Sequence, residues 1–204
     1  MISLPRLYPI LDPSCFRSNE NLVEVAQELA RAGCTLLQYR NKYASPRKML
    51  EDARALRSSL GTGVKLIMND RADLCVAGGL DGLHVGQEDL SPDAARRIIG
   101  DDCWLGVSTH NPEQLAEADR TSADYLAIGP IFGTTSKSNP DPVVGLERLR
   151  RARELTRKPL VAIGGITREN ARFVIDAGAD SVAVISDLLR DPGKSAEEFF
   201  RILG

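Results

Sequence analysis

The sequence predicts an α/β fold, a closed (β/α)8 TIM barrel. Eight short apolar segments of strand length alternate with segments whose apolar residues recur every three or four positions, which is the pattern of βα units. None of the apolar segments has the half-exposed alternation of an edge strand, which favours closure over an open doubly wound sheet or a sheet of fewer strands. With 204 residues, we expect one barrel domain over residues 1–204 with few insertions.

The first half of the chain supplies four of the predicted strands. Asn19 or Asn21 caps the first helix, which ends before Gly33. Ser45-Pro46 opens the second helix, because serine is a good cap and proline suits the first turn. A brief helix over Ala72–Ala77 joins the third and fourth strands. These four strands are Leu7–Leu11, Thr35–Tyr39, Val64–Met68 and Leu80–Val85.

The second half repeats the pattern. Ser91-Pro92 opens a helix to Ile99, and Asn111-Pro112 opens the next one. The connection from Gly129 to Val143 is too long for a plain βα loop, and long loops in compact domains are usually functional. The four strands are Cys103–Val107, Asp124–Ile128, Pro159–Ile163 and Ser181–Ile185.

Composition excludes several classes of protein. Charged residues make up 26% of the chain and the formal net charge is -2, so no basic surface for nucleic acid is indicated. No apolar run approaches the roughly 20 residues of a membrane helix, and the N-terminus lacks a secretory pattern. We expect a cytoplasmic protein with neither nucleic acid nor membrane as a partner. Four cysteines without a CxxC pair, and only two histidines, predict free thiols rather than a zinc site.

Polar side chains are concentrated just after the predicted strands, and in a barrel these positions meet at one rim. Arg40 and Lys42 alternate onto one face, which suits phosphate or diphosphate oxygens, although a solvated rim would use the same residues. Asp70 and Asp89 each follow an apolar run. They predict a shared divalent metal, with capping of the following helices as the alternative.

Three further features belong to the same rim. Gly164-Gly165 and Ile185-Ser186 end the last two strands, where barrels commonly bind phosphate. The loop Thr134-Thr135-Ser136-Lys137 is suited to closing over anionic groups, or is a flexible polar loop. His84 lies within an apolar run and is expected to be a packed, hydrogen-bonded residue, whereas His110 follows a strand and faces a pocket or a turn. Neither histidine has the serine or cysteine partner of a nucleophilic triad.

In this order, the motifs resemble those of the thiamine-phosphate synthase (thiamine-phosphate pyrophosphorylase) family. The resemblance spans nearly the whole chain and rests on Gln38-x-Arg40-x-Lys42, Asn69-Asp70-Arg71-x-Asp73-Leu74, His84-Val85-Gly86-Gln87-Glu88-Asp89, Gly106-x-Ser108-x-His110, Gly129-Pro130-x-Phe132, Thr134-x-Ser136-Lys137 and Ala162-Ile163-Gly164-Gly165-Ile166.

The resemblance implies a transferase that couples a pyrimidine diphosphate to a thiazole phosphate by a dissociative, Mg²⁺-assisted reaction. It implies catalytic roles for Arg40, Lys42, Ser108 and Lys137, and Mg²⁺ on Asp70 and Asp89. The implied substrate-binding residues are Gln38, Tyr39, Arg40, Asn41, Lys42, Asn69, Ser108, Thr134, Thr135, Ser136, Lys137, Gly165, Ile185 and Ser186. A thiazole tautomerase of the same barrel type, and a non-catalytic barrel that binds a phosphate metabolite, are the alternatives.

Overall fold

The barrel predicted from the sequence is present in the computed structural model, which describes residues 2–17, 20–134 and 141–204. Eight parallel strands pair in chain order, and the first pairs with the eighth through Leu7 opposite Val182, so the sheet closes. The strands are β1 (Leu7–Leu11), β2 (Leu36–Tyr39), β3 (Lys65–Asn69), β4 (Gly82–Val85), β5 (Trp104–Thr109), β6 (Tyr125–Ile128), β7 (Leu160–Ile163) and β8 (Ser181–Val184). Their ends differ from the predicted ends by at most two residues.

A helix follows each strand. They are α1 (Leu22–Arg31), α2 (Pro46–Leu60), α3 (Ala72–Gly78), α4 (Pro92–Ile99), α5 (Pro112–Asp119), α6 (Gly145–Leu155), α7 (Ala171–Asp176) and α8 (Pro192–Leu203), and a short 3₁₀ helix at Pro13–Cys15 follows β1. No helix among the described residues combines the length and the apolar composition that a membrane crossing requires.

The predicted helix starts are confirmed where the structure describes them. The side chain of Asn21 caps α1 by accepting the Val23 amide at 2.9 Å. Asn19 lies outside the described residues. Ser45, Ser91 and Asn111 cap α2, α4 and α5, and each is followed by proline at the first helical position. Serine and asparagine caps satisfy amides that the first helical turn leaves without partners.

The core has two layers, because successive side chains of a strand point to opposite faces. Outward-facing residues such as Leu37 and Leu66 pack against the helices. A smaller inner cluster fills the barrel, and it consists of Tyr8, Ile10, Leu36, Ile67, Tyr125, Ala127, Val161 and Ala183. Above this apolar layer, inward-facing positions at the carboxyl ends of the strands carry polar side chains. The fold therefore positions a polar cavity over an inner layer that is apolar except for the hydroxyls of Tyr8 and Tyr125.

Candidate active site

A cavity of about 540 Å³ opens at the carboxyl ends of the strands. It is the place where barrel enzymes carry out their chemistry. Among the residues that line it are eleven that the sequence predicts for the site: Gln38, Arg40, Lys42, Asn69, Asp70, Asp89, Ser108, Thr134, Gly165, Ile185 and Ser186. Residues from seven strand ends are thus brought together, as the strand-end pattern predicts.

Two residues of the predicted substrate-binding set, Tyr39 and Asn41, do not line the cavity, and their contact with substrate stays a prediction. The side chain of Tyr39 is fully buried outside the barrel, where its hydroxyl donates to Asp52 at 2.8 Å. The Asn41 carbonyl oxygen accepts the amides of Tyr43 and Ala44, so this side chain shapes the β2–α2 loop. Neither lines the cavity: the side chain of Tyr39 is on the outer face of β2, and Asn41 lies in the loop after β2. Three other predicted site residues, Thr135, Ser136 and Lys137, lie outside the described residues.

The two cations that follow β2 are held by carboxylates. Arg40 forms an ion pair with Asp12, whose side chain is buried, and Lys42 forms one with Asp70. Asp12 also accepts hydrogen bonds from the amide and the hydroxyl of Ser14. Sequence reasoning missed Asp12, although it follows β1 directly and so meets the same strand-end criterion as the other rim residues. Asp12 fixes the Arg40 guanidinium at the edge of the cavity.

Asp70 is placed by its backbone. Its φ is 64°, a left-handed conformation that is uncommon outside glycine, and its amide donates to the carbonyl of His84 at 2.8 Å. Helix α3 has no side-chain cap, so the capping alternative is wrong for Asp70. It is also wrong for Asp89, because Ser91 caps α4 while Asp89 accepts the Gly86 amide at 2.8 Å.

The two aspartates influence each other electrostatically. Burial raises the pKa of Asp70, the Lys42 ammonium opposes this shift, and the nearby Asp89 carboxylate adds to it. A divalent cation between the two carboxylates would neutralise their repulsion. Within the described ranges, no group of three or more His, Cys, Asp or Glu side chains suited to a metal occurs. Two carboxylates fit Mg²⁺, which characteristically takes one or two from the protein and other oxygens from substrate phosphate.

His84 is packed and hydrogen-bonded, as the sequence predicts. Its Nε2 lies 2.8 Å from the Ser108 hydroxyl and its Nδ1 lies 3.0 Å from the Tyr125 hydroxyl. Burial lowers the pKa of His84 to about 4, against a small opposing effect of Asp89. The imidazole is therefore neutral at physiological pH.

Several cavity residues are missing from the predicted set. His110 contacts the Gly129 carbonyl oxygen through Nδ1 at 2.7 Å, and its Nε2 lies 3.5 Å from an Asp141 carboxylate oxygen. The Gln87 amide donates to the Ser108 carbonyl oxygen at 2.7 Å. Gln87 and His110 both follow strands and belong to the motifs of the family resemblance, so the strand-end pattern predicts them as well. Asp141 lies in a long loop with no comparable pattern.

The ends of β7 and β8 form the other side of the cavity. Gly164 and Gly165 have φ values of 99° and 64°, and a Cβ on Gly165 would lie 2.4 Å from the Gly133 carbonyl oxygen. Glycine is therefore required where the β6–α6 loop crosses the end of β7. After β8, the Leu189 amide donates to the Ile185 carbonyl at 3.2 Å, which forms one extra turn.

Comparison with known proteins gives consistent matches. A family model described as thiamine monophosphate synthase matches residues 7–188. A thiamine-phosphate synthase of Koribacter versatilis is 60% identical over 99% of this chain and 97% of its own. One from Chloroflexus aurantiacus is 44% identical over 89% of this chain and 83% of its own.

Solved structures agree with these sequence matches. Thiamine phosphate pyrophosphorylase from Pyrococcus furiosus superposes with a TM-score of 0.86 at 34% identity, over 97% of this chain and 95% of its own. A structure described as native KDPGal has a TM-score of 0.75 at 19% identity, over 99% of this chain and 95% of its own, and that likeness shows the barrel fold alone.

Proposed function

The chain belongs to the thiamine monophosphate synthase family, and we propose that its cavity couples a pyrimidine diphosphate to a thiazole phosphate with Mg²⁺ on Asp70 and Asp89. The pyrimidine substrate is 4-amino-2-methyl-5-(diphosphooxymethyl)pyrimidine, and the products are thiamine phosphate and diphosphate. The enzyme is a transferase of thiamine biosynthesis. A cytoplasmic location stays a prediction.

One observation carries this proposal: two cations and two carboxylates from β2, β3 and β4 meet at one side of the cavity. These are Arg40, Lys42, Asp70 and Asp89. In the strand order of the closed barrel, β3 and β4 are opposite β7 and β8, whose ends carry Gly165 and Ser186. The arrangement supports one subsite for a metal-bound diphosphate and a second, opposite it, for a monophosphate. Two phosphorylated substrates suit two such subsites.

The reaction needs stabilisation of a leaving anion more than it needs a base. The bond between the pyrimidinylmethyl carbon and the diphosphate oxygen breaks, and its electron pair leaves with diphosphate. Arg40 and Lys42, with Lys137 from the 134–137 loop, stabilise the negative charge that develops there. When bound, Mg²⁺ supplies further charge neutralisation at the diphosphate. The thiazole nitrogen then forms the new bond to the carbon, and it carries no proton that must be removed.

Ser108 and Asn69 complete the pyrimidine side of the site. Both residues line the cavity, and the Ser108 hydroxyl lies 2.8 Å from His84 Nε2. We assign them to holding the pyrimidine and its diphosphate in line with the incoming thiazole. Orientation of two bound reactants is a large part of the rate gain in bimolecular reactions.

A thiazole tautomerase of the same barrel type is the competing function. That reaction moves a proton and has no use for diphosphate-binding cations or a carboxylate pair. We therefore favour the synthase.

The test uses purified protein, Mg²⁺, the pyrimidine diphosphate and thiazole phosphate. We expect thiamine phosphate and diphosphate in equal amounts, measured by chromatography and by a diphosphate assay. The control omits thiazole phosphate. Isomerisation of the thiazole carboxylate phosphate without any coupled product would overturn the proposal.

A further inference from the structure

A chain of buried hydrogen bonds crosses the floor of the cavity and ends at Ser108. Gln38 Nε2 donates to the Tyr8 hydroxyl at 3.0 Å, and the Tyr8 and Tyr125 hydroxyls lie 3.0 Å apart. The Tyr125 hydroxyl lies 3.0 Å from His84 Nδ1, and His84 Nε2 lies 2.8 Å from the Ser108 hydroxyl. Tyr8 and Tyr125 are 1% and 0% exposed, so their hydroxyl protons need protein acceptors. The proposed reaction assigns no step to these two tyrosines.

These hydrogen bonds all run in one direction, from Gln38 toward Ser108, which follows from counting the donor protons. A phenol has one hydroxyl proton, and Tyr8 already accepts from Gln38. Among the residues that the structure describes, the remaining hydrogen-bond partner of the Tyr8 hydroxyl is Tyr125, so Tyr8 donates to Tyr125. Tyr125 must then donate its own proton to Nδ1 of His84.

The direction fixes the tautomer of His84. Because Nδ1 accepts the proton of Tyr125, it carries none of its own, so the ring proton is on Nε2 and is donated to Ser108 Oγ. The Ser108 oxygen is occupied as an acceptor by His84. Its own proton is left for a partner in the cavity.

The backbone is adapted to this chain of hydrogen bonds. A Cβ on Gly106 would lie 2.1 Å from Cζ of Tyr125 and 2.4 Å from Nδ1 of His84. Only glycine at this position of β5 leaves room for the Tyr125–His84 hydrogen bond. This is an observation independent of the hydrogen-bond distances.

We propose that Tyr125 and His84 are positioning residues that make Ser108 an obligatory hydrogen-bond donor toward the bound substrate. For its kinetic part the inference rests on the proposed function, in which Ser108 faces the pyrimidine diphosphate. A donor fixed in advance requires no reorientation when negative charge develops on the leaving group. With the opposite polarity, the Ser108 proton would point to His84 and an oxygen lone pair would face the anion.

The tautomer can be measured without any substrate. Untagged protein labelled with ¹⁵N-histidine contains two labelled side chains, and a His110→Gln variant assigns the remaining signals to His84. We expect the proton of His84 on Nε2, with Nδ1 unprotonated, in two-dimensional ¹H–¹⁵N spectra. A proton on Nδ1 would overturn the inference, whether or not the protein makes thiamine phosphate.

Three variants separate positioning from structural support. Tyr125→Phe removes the donor to Nδ1, so we expect a mixture of His84 tautomers, with kcat lower by about tenfold and KM for the pyrimidine diphosphate within about twofold. Tyr8→Phe leaves the Tyr125 proton with Nδ1 as its acceptor, so the Nε2–H tautomer should persist. Tyr39→Phe is the matched control, because it removes a buried hydroxyl that bonds to Asp52 outside the barrel. It should leave the His84 spectrum unchanged.

A purely structural role predicts different results. Tyr125→Phe would then lower the melting temperature while leaving both the His84 tautomer and the kcat of the folded enzyme as in the wild type. That combination would contradict the inference. Failure of the wild-type enzyme to couple its substrates, with Nε2–H still observed, would instead count against the proposed function alone.

Discussion

At the scale of single residues, the position relative to a strand end decides what a side chain does. Arg40 and Lys42 line the cavity while Tyr39 and Asn41 do not, although these four residues are consecutive. The period-two alternation of β2 predicts the orientation of Tyr39, whereas Asn41 lies beyond the strand and its side chain accepts loop amides. The Arg40–Asp12 ion pair joins residues 28 positions apart, and no local pattern indicates it before the barrel closes.

The carboxylate pair gives the first prediction. Asp70→Asn and Asp89→Asn each keep the side-chain shape but remove a charge from the proposed Mg²⁺ site. We expect kcat/KM at fixed Mg²⁺ to fall at least about a hundredfold, with part of the loss recovered at higher Mg²⁺. Steady-state assays over a range of Mg²⁺ concentrations measure both effects.

Asp73→Asn is the matched control for these variants. Asp73 belongs to the same motif, but its side chain is 61% exposed and pairs with Arg71 on the surface. The activity and the Mg²⁺ dependence of the Asp73→Asn protein should equal those of the wild type. If Asp70→Asn behaves like Asp73→Asn, the metal assignment of Asp70 is wrong.

His84 gives a prediction about stability and pH. Burial lowers its pKa in the folded protein to about 4 from the ordinary value of 6.5. Below pH 6.5 the unfolded chain therefore binds a proton that the native chain does not, so His84 destabilises the fold as the pH falls. The integrated effect between neutrality and about pH 4 is about 3 kcal/mol.

Urea unfolding of the wild type and of His84→Gln at several pH values isolates this contribution. The variant loses less stability than the wild type on acidification, so the difference between their unfolding free energies should change by about 3 kcal/mol in its favour. Parallel pH profiles for the two proteins would show that His84 does not carry the shifted pKa.

At the scale of elements, the short parallel strands are the part that sequence predicts best. Continuous apolar runs and serine-proline or asparagine-proline helix starts place most elements to within two residues. At the start of β4, which begins at Gly82 rather than at Leu80, the Asp81 carboxylate accepts the Leu66 amide at 2.8 Å. This contact joins a loop side chain to a strand and forms only when the fold assembles, so the local sequence pattern does not predict it.

Gly106 gives a prediction at this scale. Gly106 belongs to a motif of the family resemblance, but that motif gives no structural reason for a glycine within β5, where glycine is ordinarily unfavourable. In the fold, a Cβ there would overlap Tyr125 and His84. We expect Gly106→Ala to lower the free energy of unfolding by about 1–3 kcal/mol, the usual range for overpacking.

Thermal or urea unfolding measures this change, with Gly63→Ala as the control. A Cβ on Gly63 meets no atom within 4 Å and the backbone there has no positive φ, so that substitution should be close to neutral. Equal stability of the Gly106→Ala protein and the wild type would mean that Tyr125 and His84 move apart easily. That result would contradict a rigid hydrogen-bonded floor of the cavity.

At the scale of the whole molecule, closure of the sheet creates the site. Pairing of β1 with β8 brings the ends of all eight strands into one ring, so residues as distant as Gln38 and Ser186 line one cavity. The sequence predicts this ring because strand-end polarity recurs along the chain. It does not predict the floor of the cavity, because Tyr8 and Tyr125 come from strands 117 residues apart and meet only inside the closed barrel.

The central claim is that Mg²⁺ belongs jointly to the Asp70–Asp89 pair and to a diphosphate in the cavity. Calorimetric titration of inorganic diphosphate into the protein, with Mg²⁺ and then with chelator, tests it most directly. We predict that Mg²⁺ tightens diphosphate binding by at least about tenfold, or about 1.4 kcal/mol, and that this gain disappears in the Asp70→Asn Asp89→Asn double variant. Equal diphosphate affinity with and without Mg²⁺, or an undiminished Mg²⁺ effect in the double variant, would contradict the account.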